Sequence, residues 1–96
     1  MKLQLEFSPP FNEVTKKLYE TFEFDKELTL NELIEFFGKK YGKRFIDLVW
    51  ENGETGKFNK LLSIIINGQS YRHDKFLDTL LKDRDQIVFI YIYFGG

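Results

Sequence analysis

Eight consecutive apolar residues, Ile87 to Phe94, run directly into Gly95 and Gly96 at the end of this 96-residue sequence. The run is far short of the ~20 residues that a membrane helix needs, so it reads as a strand spanning Gln86 to Tyr93. Where one helix covers a sheet, strands alternate apolar and polar residues between the covered and open faces. Ile87, Val88, Phe89, Ile90, Tyr91, Ile92, Tyr93 and Phe94 instead place apolar groups on both faces. Leaving Val88, Ile90 and Ile92 uncovered forgoes roughly 1.5–3 kcal/mol for each side chain that could be fully buried. Two explanations fit. Either the patch receives a partner, or the aromatic-rich segment 45–58 folds over it.

Upstream, Leu3, Leu5 and Phe7 alternate with Lys2, Gln4 and Glu6, the period of a half-buried strand. Ser8-Pro9-Pro10 ends that strand, because proline cannot donate to a ladder. Residues 11–17 fit a helical turn or a long loop. Leu18, Phe22 and Phe24 mark a second strand, with Glu20 breaking the alternation. Thr29-Leu30-Asn31-Glu32 is a capping-box sequence, and Leu28 can staple to Leu33 across the first turn. Leu30, Leu33, Ile34, Phe37 and Tyr41 continue at helical spacing to Gly42, a left-handed terminator. Gly38 inside this helix costs roughly 1 kcal/mol relative to alanine. The β-branched stretch Leu61 to Ile66, the Asn67-Gly68 turn and Gln69 to Arg72 form a hairpin. Segment 43–60 has no assigned element, and Glu51 to Gly56 reads as an exposed turn or loop.

The composition excludes several function classes. Net charge is -1, with acids and bases interspersed, so no basic stripe is present to neutralise nucleic-acid phosphates. The small cluster Lys39, Lys40, Lys43 and Arg44 suits a helix C-terminus as well as an anion site. The absence of cysteine rules out disulfides, thiolate metal ligands and a cysteine nucleophile belonging to this chain. The first residues match neither a signal nor a transit peptide. A soluble, cytoplasmic protein with no membrane or nucleic-acid partner is expected. A Gly-Gly tail is thin and has one functional group, the Gly96 carboxylate. Taken alone, the dipeptide is a frayed end.

The order of elements, with Ile64-Ile65-Ile66-Asn67-Gly68, Leu80-Leu81-Lys82-Asp83-Arg84-Asp85-Gln86-Ile87-Val88-Phe89 and the final Gly95-Gly96, resembles the MoaD/ThiS family of ubiquitin-like sulfur carriers. The chain departs from the family twice. Arg84 stands where glycine is usual, so the turn has to accommodate a Cβ, with altered geometry as one way to do so. Tyr91 to Phe94 replaces a proline-containing stretch, so the strand can continue further. The resemblance implies an α+β, β-grasp fold, a mixed sheet of about four to five strands on one main helix. It implies one domain over residues 1–96, with 94–96 as a flexible tail. It also implies a substrate rather than an enzyme. A ubiquitin-activating-type adenylyltransferase would use ATP to adenylate Gly96. A persulfide donor would then convert it to a thiocarboxylate for the molybdopterin synthase large subunit or another acceptor, in thiamine or tRNA thiolation. Gly95 would give the tail access to a narrow channel. Phe94, Ile92, Ile90 and Val88 would form the docking surface. No bound cofactor or metal is implied.

Other readings use the same residues. An activated tail could form isopeptide bonds as a protein modifier, and a β-grasp binding module would need no reactive tail. His73, between Arg72 and Asp74, reads as a surface residue, since a catalytic base needs a nucleophile and an orienting partner. Asp83 and Asp85 suit backbone hydrogen bonding in a turn better than cation binding. Glu51 and Glu54 read as loop polarity.

Overall fold

The computed structural model describes residues 1–51, 57–72 and 74–93. The first alternating segment forms β1 (Lys2–Phe7), and Leu3, Leu5 and Phe7 are all buried. The ambiguous stretch after the prolines contains a short helix, α1 (Phe11–Thr15), which buries Phe11 and Thr15. β2 (Tyr19–Glu23) then returns antiparallel to β1. Next come α2 (Leu30–Tyr41) and α3 (Lys43–Val49), followed by β3 (Leu62–Ile66), β4 (Gln69–Tyr71), a 3-10 turn (Asp74–Asp78) and β5 (Gln86–Tyr91). The sheet order is β2-β1-β5-β3-β4. β5 therefore lies in the middle, parallel to β1 and antiparallel to β3. This mixed sheet with one long helix is the expected β-grasp arrangement.

Local chemistry sets the ends of α2. The Glu32 amide donates to Thr29 Oγ1 at 3.2 Å and the Thr29 amide donates to Glu32 Oε1 at 2.9 Å, completing the capping box. The Thr29 amide bond holds the Glu32 carboxyl below the usual carboxylate range. Leu30, Leu33, Ile34 and Phe37 face the sheet and are buried. Gly42 ends the helix at φ 86° and ψ -164°, and its amide donates to Gly38 O. Its φ is positive as expected, but its ψ lies outside the left-handed helical region, because the chain turns at once into α3.

Segment 43–60 joins the core on the helix side. Phe45 of α3 packs against Phe37 and Phe89 at ring-centroid distances of 5.4 and 5.7 Å. Val49, Trp50 and Phe58 belong to the same core, with Trp50 stacked on Phe58 at 5.4 Å. The described part of 45–58 therefore does not fold over the open face, contrary to the second explanation of the apolar strand. Two strand limits also differ from expectation. β4 ends at Tyr71 and β5 at Tyr91, two residues short of Tyr93. The final ladder partner of β5 is Leu62, opposite Tyr91, at the start of β3, so pairing stops where β3 stops.

Gly38 has a packing reason. A Cβ at this position would lie 2.5 Å from Ile46 Cδ1 on α3 and 3.2 Å from Ile46 Cγ1. Gly38→Ala should therefore fail to return the ~1 kcal/mol that helix propensity alone offers. In an Ile46→Val background, which lacks that terminal methyl, the same alanine should become stabilising. Urea unfolding of the double-mutant cycle measures the difference, expected to be about 0.5 kcal/mol or more. A full alanine gain in the native background would show that Ile46 swings aside without cost.

Candidate docking face and tail exit

The sheet face opposite the helices is built from one residue of each strand in register. Across one row, Tyr19 lies opposite Glu6, Glu6 opposite Val88, Val88 opposite Ile65, and Ile65 opposite Ser70. In the next row Ser63 faces Ile90. Ser63 is fully buried, its Oγ 2.6 Å from Ser70 Oγ. Val88, Ile90 and Ile65 form a short apolar stripe on β5 and β3, and all three are half-buried. No helix among the described residues covers this stripe.

At the end of β5 the face meets the tail. Ile92, half-buried, donates its amide to Leu61 O at 2.7 Å. Tyr91 turns inward, and its hydroxyl donates to Leu48 O at 2.6 Å. Leu48 lies in the last turn of α3, where carbonyls lack intrahelical partners. The Tyr91 ring also packs edge-on against Phe11 at 5.3 Å. One side chain thus joins the tail-bearing strand to α1 and α3. Burial, with the Tyr93 phenol as a smaller contribution, pushes the Tyr91 hydroxyl up to about 12. Beyond this clamp, Tyr93 is 71% exposed. Phe94, Gly95 and Gly96 lie outside the described residues.

The other end of β5 is fastened by the two turn motifs. Asn67 and Gly68 both have positive φ, 51° and 86°, as a tight hairpin turn requires. Asn67 Nδ2 donates to Asp85 Oδ1 at 2.8 Å, and the Gln86 amide donates to Asn67 Oδ1 at 2.9 Å. Asp85 Oδ2 accepts from the Lys82 amide, and Asp83 Oδ1 accepts from the Lys2 amide at 2.7 Å. The Lys2 amide bond, aided by nearby positive charge, holds the Asp83 carboxyl below its ordinary range. Both aspartates therefore serve the backbone, as expected from turn chemistry. Arg84 keeps a left-handed φ of 70° despite its Cβ, and its amide donates to Lys2 O. The turn thus carries a Cβ at a left-handed position.

A sequence profile described as the ThiS family matches residues 10–96, nearly the whole chain. The chain belongs to the ThiS family. Solved structures share the fold. The HVO 2177 protein of Haloferax volcanii superposes with a TM-score of 0.77 at 23% identity, covering 100% of this chain and 87% of that one. A provisionally assigned molybdopterin converting factor, subunit 1, from Pyrococcus furiosus gives 0.73 at 19% identity, covering 97% and 99%. Small archaeal modifier protein 1 of Methanosarcina acetivorans gives 0.73 at 21% identity, covering 99% and 96%. No curated protein sequence matches the chain. Membership places this ThiS-family chain among ubiquitin-fold carriers and modifiers, proteins that are generally not catalysts.

Of the residues singled out in the sequence, Val88 and Ile90 come together on the open face and Ile92 lies at its end. Phe94, Gly95, Gly96 and His73 lie outside the described residues. Ile65, Tyr91 and Leu48 were missed. The period-two pattern of the hairpin could have placed Ile65 beside Val88. Nothing in the sequence ties Tyr91 to a carbonyl 43 positions away.

Two measurements follow from this geometry. Arg84→Gly should remove roughly 1–2 kcal/mol of left-handed strain against a smaller unfolded-state loss, giving a net gain of up to about 1 kcal/mol in denaturant unfolding. In an ultraviolet pH titration, one phenol should ionise only near pH 12, and Tyr91→Phe should abolish that step. Because the folded-state value is raised, its stabilisation is complete below the unfolded value near 10. It is then lost as pH rises toward 12. Native stability should fall across that window, and less so in Tyr91→Phe.

Proposed function

We propose that this ThiS-family protein is a sulfur carrier, acting in the cytoplasm as a substrate rather than an enzyme. The supporting observation is the placement of β5. Its start is fastened by Asn67 and Asp85, its end is clamped through Tyr91, and its open side carries the Val88 and Ile90 stripe. A partner resting on that stripe meets a fixed exit point, from which Tyr93, Phe94, Gly95 and Gly96 can be drawn into an active site. Gly95 and Gly96 suit a narrow channel because neither presents a side chain.

An adenylyltransferase of the ubiquitin-activating type would supply ATP chemistry. The Gly96 carboxylate oxygen attacks the α-phosphate, pyrophosphate leaves, and an acyl-adenylate forms. The terminal sulfur of a persulfide donor then attacks the acyl carbon and expels AMP. A second thiol reduces the resulting S–S bond and leaves the Gly96 thiocarboxylate. Similarity to a molybdopterin converting factor subunit supports the molybdopterin synthase large subunit as the first acceptor to test.

Incubation with ATP, the cognate adenylyltransferase and a persulfide donor should replace one oxygen by sulfur at Gly96, read by mass spectrometry of the C-terminal peptide. Gly95→Ala should slow charging by roughly tenfold or more, the scale of a misplaced reacting group. An unmodified Gly96 with a competent partner would falsify the carrier reading. Linkage of Gly96 to lysines without thiocarboxylate would assign the chain to protein modification instead.

A further inference from the structure

A depression of about 260 Å³ opens on the uncovered sheet face where β2, β1 and β5 lie side by side. Leu5 and Ile87 turn their side chains into the core, so they contribute main chain to its floor. Gln4 and Gln86 face each other at one end. At the other end Glu6 stands between Tyr19 and Val88, in register with both. Directly opposed positions in neighbouring strands hold their side chains within mutual reach. Among the lining residues, Glu6 alone is an acid or a base of the Asp, Glu, Lys or Arg type.

Two features of this end are unusual for a plain solvent face. Tyr19 leaves 70% of its surface exposed, a large aromatic area separated from the apolar stripe only by Glu6. Glu6 is half-buried, and its Oε2 receives a 3.5 Å contact from Ser8 Oγ. Partial burial weakens the hydration of a carboxylate, and one contact at the limit of hydrogen-bonding distance replaces little of it. A carboxylate paired with an accessible ring matches a guanidinium. Its planar fork bonds a carboxylate bidentately, and its face stacks on an aromatic ring. An ammonium meets the carboxylate as a point charge and cannot stack in the same way.

We infer that Glu6 and Tyr19 form a receptor for an arginine side chain presented by the activating enzyme. The assignment rests on the carrier reading and supplies a chemical feature of the partner. Val88 connects the two regions: it lines the depression and also belongs to the stripe beside Ile65 and Ile90. A surface docked on the stripe therefore extends over Glu6 without a gap. The apolar stripe contributes contact area, while the arginine fixes lateral register and orientation on the sheet. That register matters because the tail leaves from the same strand. Tyr19 and Glu6 act in recognition and take no part in the chemistry at Gly96.

The test is steady-state adenylation, followed by ATP–pyrophosphate exchange with the cognate adenylyltransferase. Glu6→Gln and Tyr19→Ala, both at surface positions, are first checked for native melting behaviour. Each should raise the KM for the carrier by roughly tenfold, the scale of one lost charge-assisted or stacking contact. Turnover at saturating carrier should stay unchanged. The native KM should rise with ionic strength, and Glu6→Gln should lose most of that dependence. KM values within about twofold of native, with the same salt dependence, would overturn the arginine site while charging of Gly96 still proceeds. A native chain that the enzyme does not charge at all would overturn the carrier reading, and this site with it.

Discussion

Every helix in the described structure is held to the sheet through Phe89. Phe11 from α1, Phe37 from α2 and Phe45 from α3 lie at ring-centroid distances of 5.6, 5.8 and 5.7 Å from it. Phe7 on the neighbouring parallel strand completes the group at 6.1 Å. Each ring buries large apolar area, and edge-on or tilted pairs add about 0.5–1.5 kcal/mol beyond that area. Domains have only about 5–15 kcal/mol of net stability. Truncating such a buried ring costs about 3–5 kcal/mol, a large share of the total. The middle strand thus determines where all three helices sit.

That arrangement gives β5 two unequal faces. Ile87 and Phe89 are consumed by the core, while Val88 and Ile90 remain half-buried on the other side. The strand is also held at both ends. Asn67 and Asp85 join the hairpin turn to its start, and Tyr91 joins its end to α3. A strand fixed in this way presents its outer side chains and its exit point as one rigid unit. For a protein whose proposed role is to deliver a carboxylate into another enzyme, this rigidity matters more than any reactive side chain. Helix α3 serves the same purpose by supplying the Leu48 carbonyl that accepts from the Tyr91 hydroxyl.

The parts legible in the sequence depend on contacts between near neighbours. The capping box at Thr29 and Glu32 closes over three residues, Asn67-Gly68 specifies its own turn, and Leu3, Leu5 and Phe7 declare one buried face by period alone. The short helix α3 was not legible, and α1 was legible only as one of two readings of residues 11–17. Five and seven residues are too few to show a periodic stripe, and α3 is held by Phe45 and Val49 in the shared core rather than by strong local signals. The extent of the last strand was overestimated for a related reason. Apolar composition continues through Phe94, but a strand continues only while a neighbour pairs with it, and β3 begins at Leu62.

The β-grasp entered through the family resemblance; by itself the sequence determined a capped main helix, the Asn67-Gly68 hairpin, a Gly-Gly end and a final strand too apolar for one buried face. Those properties follow from periodicity, turn chemistry and composition, which act over a few residues. Which face stays open was decided only by tertiary structure. Phe45, Trp50 and Phe58 could have covered Val88 and Ile90, but they join Phe7, Phe37 and Phe89 on the helix side. Placement of Glu6 between Tyr19 and Val88 was likewise beyond local pattern, since it requires three strands drawn from opposite ends of the chain to meet in one register. The physical reason is common to both. A side chain's neighbours across a sheet are set by strand order and by competition for one core, and neither is encoded in the residues beside it.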